Sequence, residues 1–140
     1  MKQLGLLVVV FFIQGCTSST GGYFASFNEV KYQISHKDVM INDVVTTLRK
    51  YYTPGKTTLS LFLENEDVFS ARFANALMHA GYGVSINEGR LGYVPLAYKL
   101  DSVGPLVRIT VNVEKLQFSR VYKESEDTLK PFSPITVRGD

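Results

Sequence analysis

Apolar residues recur at two periods along the chain, and each change of period marks a new element. Ile41, Val44, Val45, Leu48 and Tyr52 are spaced by three and four residues, which places them on one face of an amphipathic helix. Asn42, Thr46, Arg49 and Lys50 take the opposite side. Ser35-His36-Lys37-Asp38 supplies the Ser-x-x-acid pattern of a helix start, and Pro54-Gly55 stops the helix. The helix is rich in β-branched residues, so packing must supply the stability that propensity does not. From Thr57 to Leu63 the period falls to two, with Leu59, Leu61 and Leu63 pointing one way. A second helix follows, with Asn65 as its expected cap and Glu66 and Asp67 at its positive end. Phe69, Phe73, Ala76, Leu77 and Ala80 form its stripe, and Gly81 is placed to end it. Tyr82, Val84 and Ile86 then alternate, so strand, helix and strand read as a short crossover unit.

The C-terminal half keeps the period of two. Val94 to Asp101 presents Leu96, Tyr98 and Leu100 to one face. Ser102-Val103-Gly104-Pro105 reads as a turn, and Leu106 to Val113 as the clearest strand, with Val107, Ile109, Val111 and Val113 inward. Leu116 to Lys123 pairs with it through Glu114-Lys115, and Glu124 to Thr128 is an acidic turn. Leu129 to Val137 reads as one last strand, which Pro131 and Pro134 confine to an edge or to extended coil. The expected fold is α+β, two helices packed on one face of a mostly antiparallel sheet. The other face carries Arg108, Thr110, Asn112, Ser119 and Lys123.

The start of the chain has a different pattern. Lys2 precedes an unbroken apolar run, Leu4 to Ile13. A spanning helix needs about 20 apolar residues, whereas the apolar region of a secretory signal needs roughly 7–15. The run ends Ile13-Gln14-Gly15-Cys16, an aliphatic residue three before Cys and a small one directly before it. That is the lipobox of bacterial lipoproteins. Gly15 admits the peptidase to the Gly15–Cys16 bond, and the Cys16 thiol takes a diacylglyceryl thioether. The new amino group of Cys16 can then be acylated. Two or three chains anchor stably where one does not, each buried CH2 adding about 0.8 kcal/mol. Thr17 stands where Asp commonly retains such proteins at the inner membrane, so the expected location is the periplasmic face of the outer membrane. The expected division is a signal peptide at 1–15, a lipidated N-terminus and tether at 16–34, and a single periplasmic domain at 35–140. Within the tether, Tyr23 to Ile34 reads as a short strand or an extended segment.

Charge and chemistry remove function classes rather than add them. Lys and Arg number 15 against 13 Asp and Glu. Cleavage removes Lys2, leaving 14 − 13, about +1. So near a balance predicts no direct contact with nucleic acid. The single Cys excludes a disulfide framework and is assigned to lipid. His36 reads as an exposed residue at a helix start, and His79 as a complement to a helix C-terminus. Neither joins a metal-ligand pattern. Glu64, Glu66 and Asp67 read as the acidic start of the second helix rather than a catalytic pair. Gly81-Tyr82-Gly83 follows a helix, whereas a phosphate loop precedes one. No catalytic residues, metal or cofactor are expected beyond the lipid on Cys16. Tyr51, Arg120 and Tyr122 are the candidate interface residues, because aromatics and Arg are enriched at interfaces.

Lipobox, polar tether and a helix ending Leu48-Arg49-Lys50-Tyr51-Tyr52-Thr53-Pro54 come in that order. A strand at Thr57-Thr58-Leu59 follows, then the helix Phe69 to Ala80 with Gly81-Tyr82-Gly83-Val84 behind it. Tyr98-Lys99-Leu100 and Ser119-Arg120-Val121-Tyr122 complete the pattern. Together these resemble the TrbH family of conjugal-transfer lipoproteins. The resemblance implies a structural component of a type IV secretion apparatus, with Cys16 as lipid attachment site. Its implied partners are the membrane and other channel subunits, within which the chain could be oligomeric. Two other readings stay open from the residues. One is an envelope lipoprotein that binds cell wall or a small ligand, with Tyr51, Tyr52, Tyr82 and Tyr93 as stacking surfaces. The other is a small periplasmic hydrolase, for which no residue pair stands out.

Overall fold

A computed structural model describes residues 25–30 and 34–139. The segments expected to be signal peptide and lipobox, and most of the expected tether, lie outside the described residues. The elements in chain order are β1 (Phe27–Asn28), α1 (Lys37–Tyr51), β2 (Thr58–Leu61), α2 (Val68–His79), β3 (Gly83–Ile86), β4 (Val94–Val103), β5 (Leu106–Val113), β6 (Leu116–Ser125), β7 (Thr128–Pro131) and β8 (Thr136–Gly139). The sheet runs β3-β2-β4-β5-β6-β7, with β8 also on β6 and β1 also on β4. β4 to β8 pair antiparallel as a meander, while β1, β2 and β3 join through parallel ladders. This is the expected α+β architecture, and the β2–α2–β3 crossover is present as read.

Alternation explains the layering. Leu59, Leu61, Leu96, Tyr98, Leu100, Val107, Ile109, Val111, Val113, Phe118 and Tyr122 turn to one side of the sheet and are buried there. Met40, Ile41, Val44, Val45 and Leu48 of α1 and Phe69, Phe73 and Leu77 of α2 close over them. The Tyr98 ring is 5.0 Å from Phe69 and meets Phe73 edge-on at 5.5 Å, an arrangement that adds about 0.5–1.5 kcal/mol per pair beyond burial.

Several boundaries differ from the sequence reading. The folded unit starts upstream of residue 35. Ser26 is 1% exposed and donates its amide to Phe62 O, and β1 fills the place beside β4 beyond the end of β2. Two residues of strand are too few to show a period. α1 starts without a capping box: His36 takes a left-handed φ of 54°, and the amide of Ser35 donates to Glu124 Oε1 at 2.7 Å. A partner on β6 thus takes the group that a local cap would have arranged. At α2 the cap is Asp67 rather than Asn65. Its carboxylate accepts from the Ser70 amide at 2.7 Å, and the Ser70 hydroxyl accepts from the Asp67 amide at 2.8 Å. β4 continues through Ser102 and Val103, leaving only Gly104-Pro105 in the turn. The last strand is two strands, because Pro134 has no amide to donate and the segment between β7 and β8 bulges away. There Phe132 N and Ser133 N both reach Val121 O, and Ser133 Oγ accepts from Val121 N.

Candidate functional site

The candidate interface residues separate in the structure. Tyr51 ends α1 and is 48% exposed. Arg120 and Tyr122 point from β6 toward α1, because even-numbered residues of β6 share the face of Phe118. Tyr122 is 0% exposed, and its hydroxyl donates to Asp43 Oδ2 at 2.7 Å. Arg120 donates to the same oxygen at 2.9 Å and to Ser133 O at 3.0 Å. Burial, and then the bond to the Asp43 carboxylate, push the Tyr122 phenol far up; Arg120 opposes them. The cluster ties α1 to the sheet and to the bulge of its edge strand. The residue behind it, Asp43, was not singled out from sequence. Its signal was there: Asp43 flanks the stripe position Val44, and Met40 and Thr47, three before it and four after, are buried.

A second internal link joins the other end of α1. Tyr52 donates to Glu114 Oε2 at 3.0 Å and accepts from the Tyr82 hydroxyl at its carbonyl, 2.7 Å. Burial first, and then Glu114, raise the Tyr52 phenol to about 12. Tyr82 is buried and its phenol raised for the same first reason, with Arg49 opposing. Two of the four stacking candidates are therefore engaged in the fold, since Tyr82 is 4% exposed and Tyr52 is half-buried. Tyr93 is half-buried too.

His36 and His79 are exposed at opposite ends of different helices. Asp67 is occupied as the α2 cap and accepts from Asn28 at 3.3 Å, while Glu64 and Glu66 are exposed. Gly81 takes φ +99° directly behind α2, where it ends the helix. Among the described residues no group of three or more His, Cys, Asp or Glu is placed to hold a metal ion. Gly15 and Cys16 lie outside the described residues. No helix among the described residues is long and apolar enough to cross a membrane, and this says nothing of strands that cross.

The face of the sheet away from the helices carries the most polar chemistry. Register aligns its residues in rows. Val103, Leu106, Lys123 and Lys130 form the row at one end, and Asp101, Arg108 and Val121 the next. Phe27, Lys99, Thr110, Ser119 and Thr136 form the third, and Ala97, Asn112, Gln117 and Arg138 the fourth. The second, third and fourth rows line a cleft of 340 Å³, with Lys99, Asp101, Arg108, Thr110, Gln117, Ser119, Thr136 and Arg138 around it. Arg108 grips Asp101 through both carboxylate oxygens, 2.9 Å and 2.5 Å. Lys99 lies 3.8 Å from Asp101 and 3.6 Å from Glu29, and sits over the Phe27 ring. The sequence marked Arg108, Thr110, Asn112, Ser119 and Lys123 for this face. Lys99 follows from the alternation of Val94–Val103, and strand pairing brings it, Lys130 and Arg138 into the same rows.

A second surface feature is a groove beside the start of α2, lined by Leu63, Val68, Ala71, Ala74 and Ile86 with Glu66 and Asp67 at its rim. Val68 is 59% exposed there.

The molecule is thus a two-layer α+β domain with polar internal links and broad surface features. The chain matches the family described as conjugal transfer protein TrbH over residues 18–140. It belongs to that family and is a component of conjugal transfer. No curated protein and no solved structure matches it.

Proposed function

We propose that this chain is an outer-membrane-anchored lipoprotein with a structural role in a conjugal-transfer type IV secretion apparatus, and that it performs no catalysis of its own. The observation that carries this reading is the family match over residues 18–140, beginning two residues after the lipobox cysteine. Cys16 is the lipid site, Gly15–Cys16 the cleavage site, and diacylglycerol with an N-acyl chain the only covalent group. The lipid holds the domain at the periplasmic face, and the domain docks onto larger channel subunits. Its sheet offers two edges for this, β3 at one end and β7–β8 at the other. An edge strand presents amide and carbonyl groups that an extended partner segment can pair. β8 is exposed at all four residues, and Tyr51 adds an aromatic at the end of α1.

The test is an affinity pull-down from cross-linked cells of the native host, with the tagged chain beside its Cys16→Ala form. Recovery of secretion-channel subunits, reduced in the Cys16→Ala form, is the expected result. Recovery of cell wall or unrelated lipoproteins alone would overturn it in favour of an envelope-binding role.

A further inference from the structure

We propose that the open face of the sheet docks flat on the anionic phospholipid headgroups of the bilayer that holds the anchor, as a second attachment beside the lipid. This rests on the lipoprotein reading above. The chain is nearly neutral as a whole, but its charge is not evenly placed. The four rows of the open face carry Lys99, Arg108, Lys123, Lys130 and Arg138 against Asp101 alone, with Glu29 beside Lys99. The helix layer is closer to balance, with Lys37, Arg49, Lys50 and Arg72 against Asp38, Asp43 and Asp67, and Glu114, Glu126 and Asp127 lie in turns. Lys123 and Lys130 stand directly opposite each other and are exposed, and neither makes an ion pair among the described residues. Directly opposed like charges destabilise a sheet, and an external anion relieves that repulsion.

Three features select a bilayer as that anion. The row holding the two lysines continues into Leu106 and Val103, which flank the Gly104-Pro105 turn, and Val103 is 56% exposed. Apolar residues at a tip with lysines beside them match the boundary between acyl chains and headgroups. The cleft adds hydroxyls from Thr110, Ser119 and Thr136 beside its cations, donors suited to phosphodiester oxygens. The described chain resumes at Ala25, nine residues after Cys16, and nine residues reach at most about 30 Å. The anchor thus keeps the face within reach of headgroups. Single-stranded nucleic acid would need bare aromatic platforms, and among the described residues the ring within the four rows is Phe27, which lies under Lys99.

Cys16 is the only cysteine, so once it carries lipid an added cysteine is the sole free thiol. The full lipidated chain with Thr136→Cys on the open face, or Met78→Cys on the helix layer, is labelled with a fluorophore. It is reconstituted in vesicles of phosphatidylcholine alone or with one quarter phosphatidylglycerol, each with a headgroup nitroxide quencher. The expected result is quenching at Thr136→Cys in the anionic vesicles only, lost in 1 M salt, with the Met78→Cys label unquenched. Each cation near an anionic surface contributes about fivefold. Adding Lys123→Gln and Lys130→Gln should therefore lower the docking equilibrium about 25-fold. Equal quenching of both labels, no quenching, or quenching indifferent to phosphatidylglycerol would overturn the proposal. A benzophenone on the Thr136→Cys thiol in host envelopes identifies the occupant. A cross-link to phospholipid is expected, and one to a protein or to a second copy of the chain would overturn it. Mass analysis of Cys16 tests the anchor separately. Where it carries no lipid, the chain with Cys16→Ala added is mixed with the same vesicles, and the same labels still read the face.

Discussion

Replacing Asp43 by Ala tests how α1 is held to the sheet. The substitution leaves the Tyr122 hydroxyl, in a side chain 0% exposed, without the acceptor it reaches at 2.7 Å. Stranding a buried donor costs about 1–3 kcal/mol. It also removes the 2.9 Å ion pair with Arg120, whose side chains are 23% and 29% exposed. Solvent screening limits that part to about 0.5–1 kcal/mol. The expected loss is therefore about 1.5–4 kcal/mol, a large part of the stability of a small domain. Tyr122→Phe removes the donor instead and leaves Asp43 with Arg120, so it should cost about 1–2 kcal/mol. Once either partner is gone the other change removes little, and the double variant should fall short of the summed costs by about 1–2 kcal/mol. Asp43→Asn keeps an acceptor for Tyr122 and loses the charge, so it should lie between wild type and Asp43→Ala. Urea unfolding followed by far-UV circular dichroism reads all four, since the chain has no Trp to report. An Asp43→Ala cost below about 0.5 kcal/mol, or strictly additive single changes, would show that the cluster does not hold the layers together.

Gly81 sits at φ +99°, and a Cβ there would also stand 3.3 Å from Pro54 Cβ. Gly81→Ala should lower stability by about 1–2 kcal/mol, read by the same urea midpoint; an unchanged midpoint would show that this turn relaxes freely. Alkaline pH should unfold the domain cooperatively. Burial raises the Tyr98 and Tyr122 phenols above the usual 10.0, with Asp67 adding at Tyr98 and Asp43 at Tyr122. The folded state thus keeps protons that the unfolded chain releases. Stability from these two groups is whole below about pH 10 and falls, by up to about 1.4 kcal/mol per pH unit for each, as pH rises toward the folded values. Phenolate absorbance measured against circular dichroism checks this: full ionisation of every Tyr before the fold is lost would refute the burial argument.

What could be read from the sequence is what repeats within a short window. The stripe Ile41, Val44, Val45, Leu48 and the alternation Val107, Ile109, Val111, Val113 each report their own local geometry, because a side chain's direction follows from the backbone of its own element. The layer assignment followed, since every such stripe must bury against another. The proposed lipobox is read in a similar way, because a peptidase and a lipid transferase would act on contiguous residues. Apart from the α2 cap, where Asp67 and Ser70 bond three residues apart, the missed features depend on residues far apart in the chain. Asp43 acquires its role from Arg120 and Tyr122, 77 and 79 positions away. Ser35 loses its cap role to Glu124, 89 positions away. β1 is a strand only because β4 outruns β2 and leaves a row of backbone groups for it.

The open face shows the same division. Its outward positions on each strand were set by alternation, and the residue types there were plain in the sequence. Their summation into a basic surface was not, because composition averages charge over the chain and puts the total near neutrality. Strand register decides which residues share a row, and register is fixed by pairing between segments that the sequence keeps apart. The sequence by itself determined the two helices, the strands with a visible period, the two-layer class and the family. The tertiary structure decided which side chains meet, and so where the polar links and the concentrated charge lie.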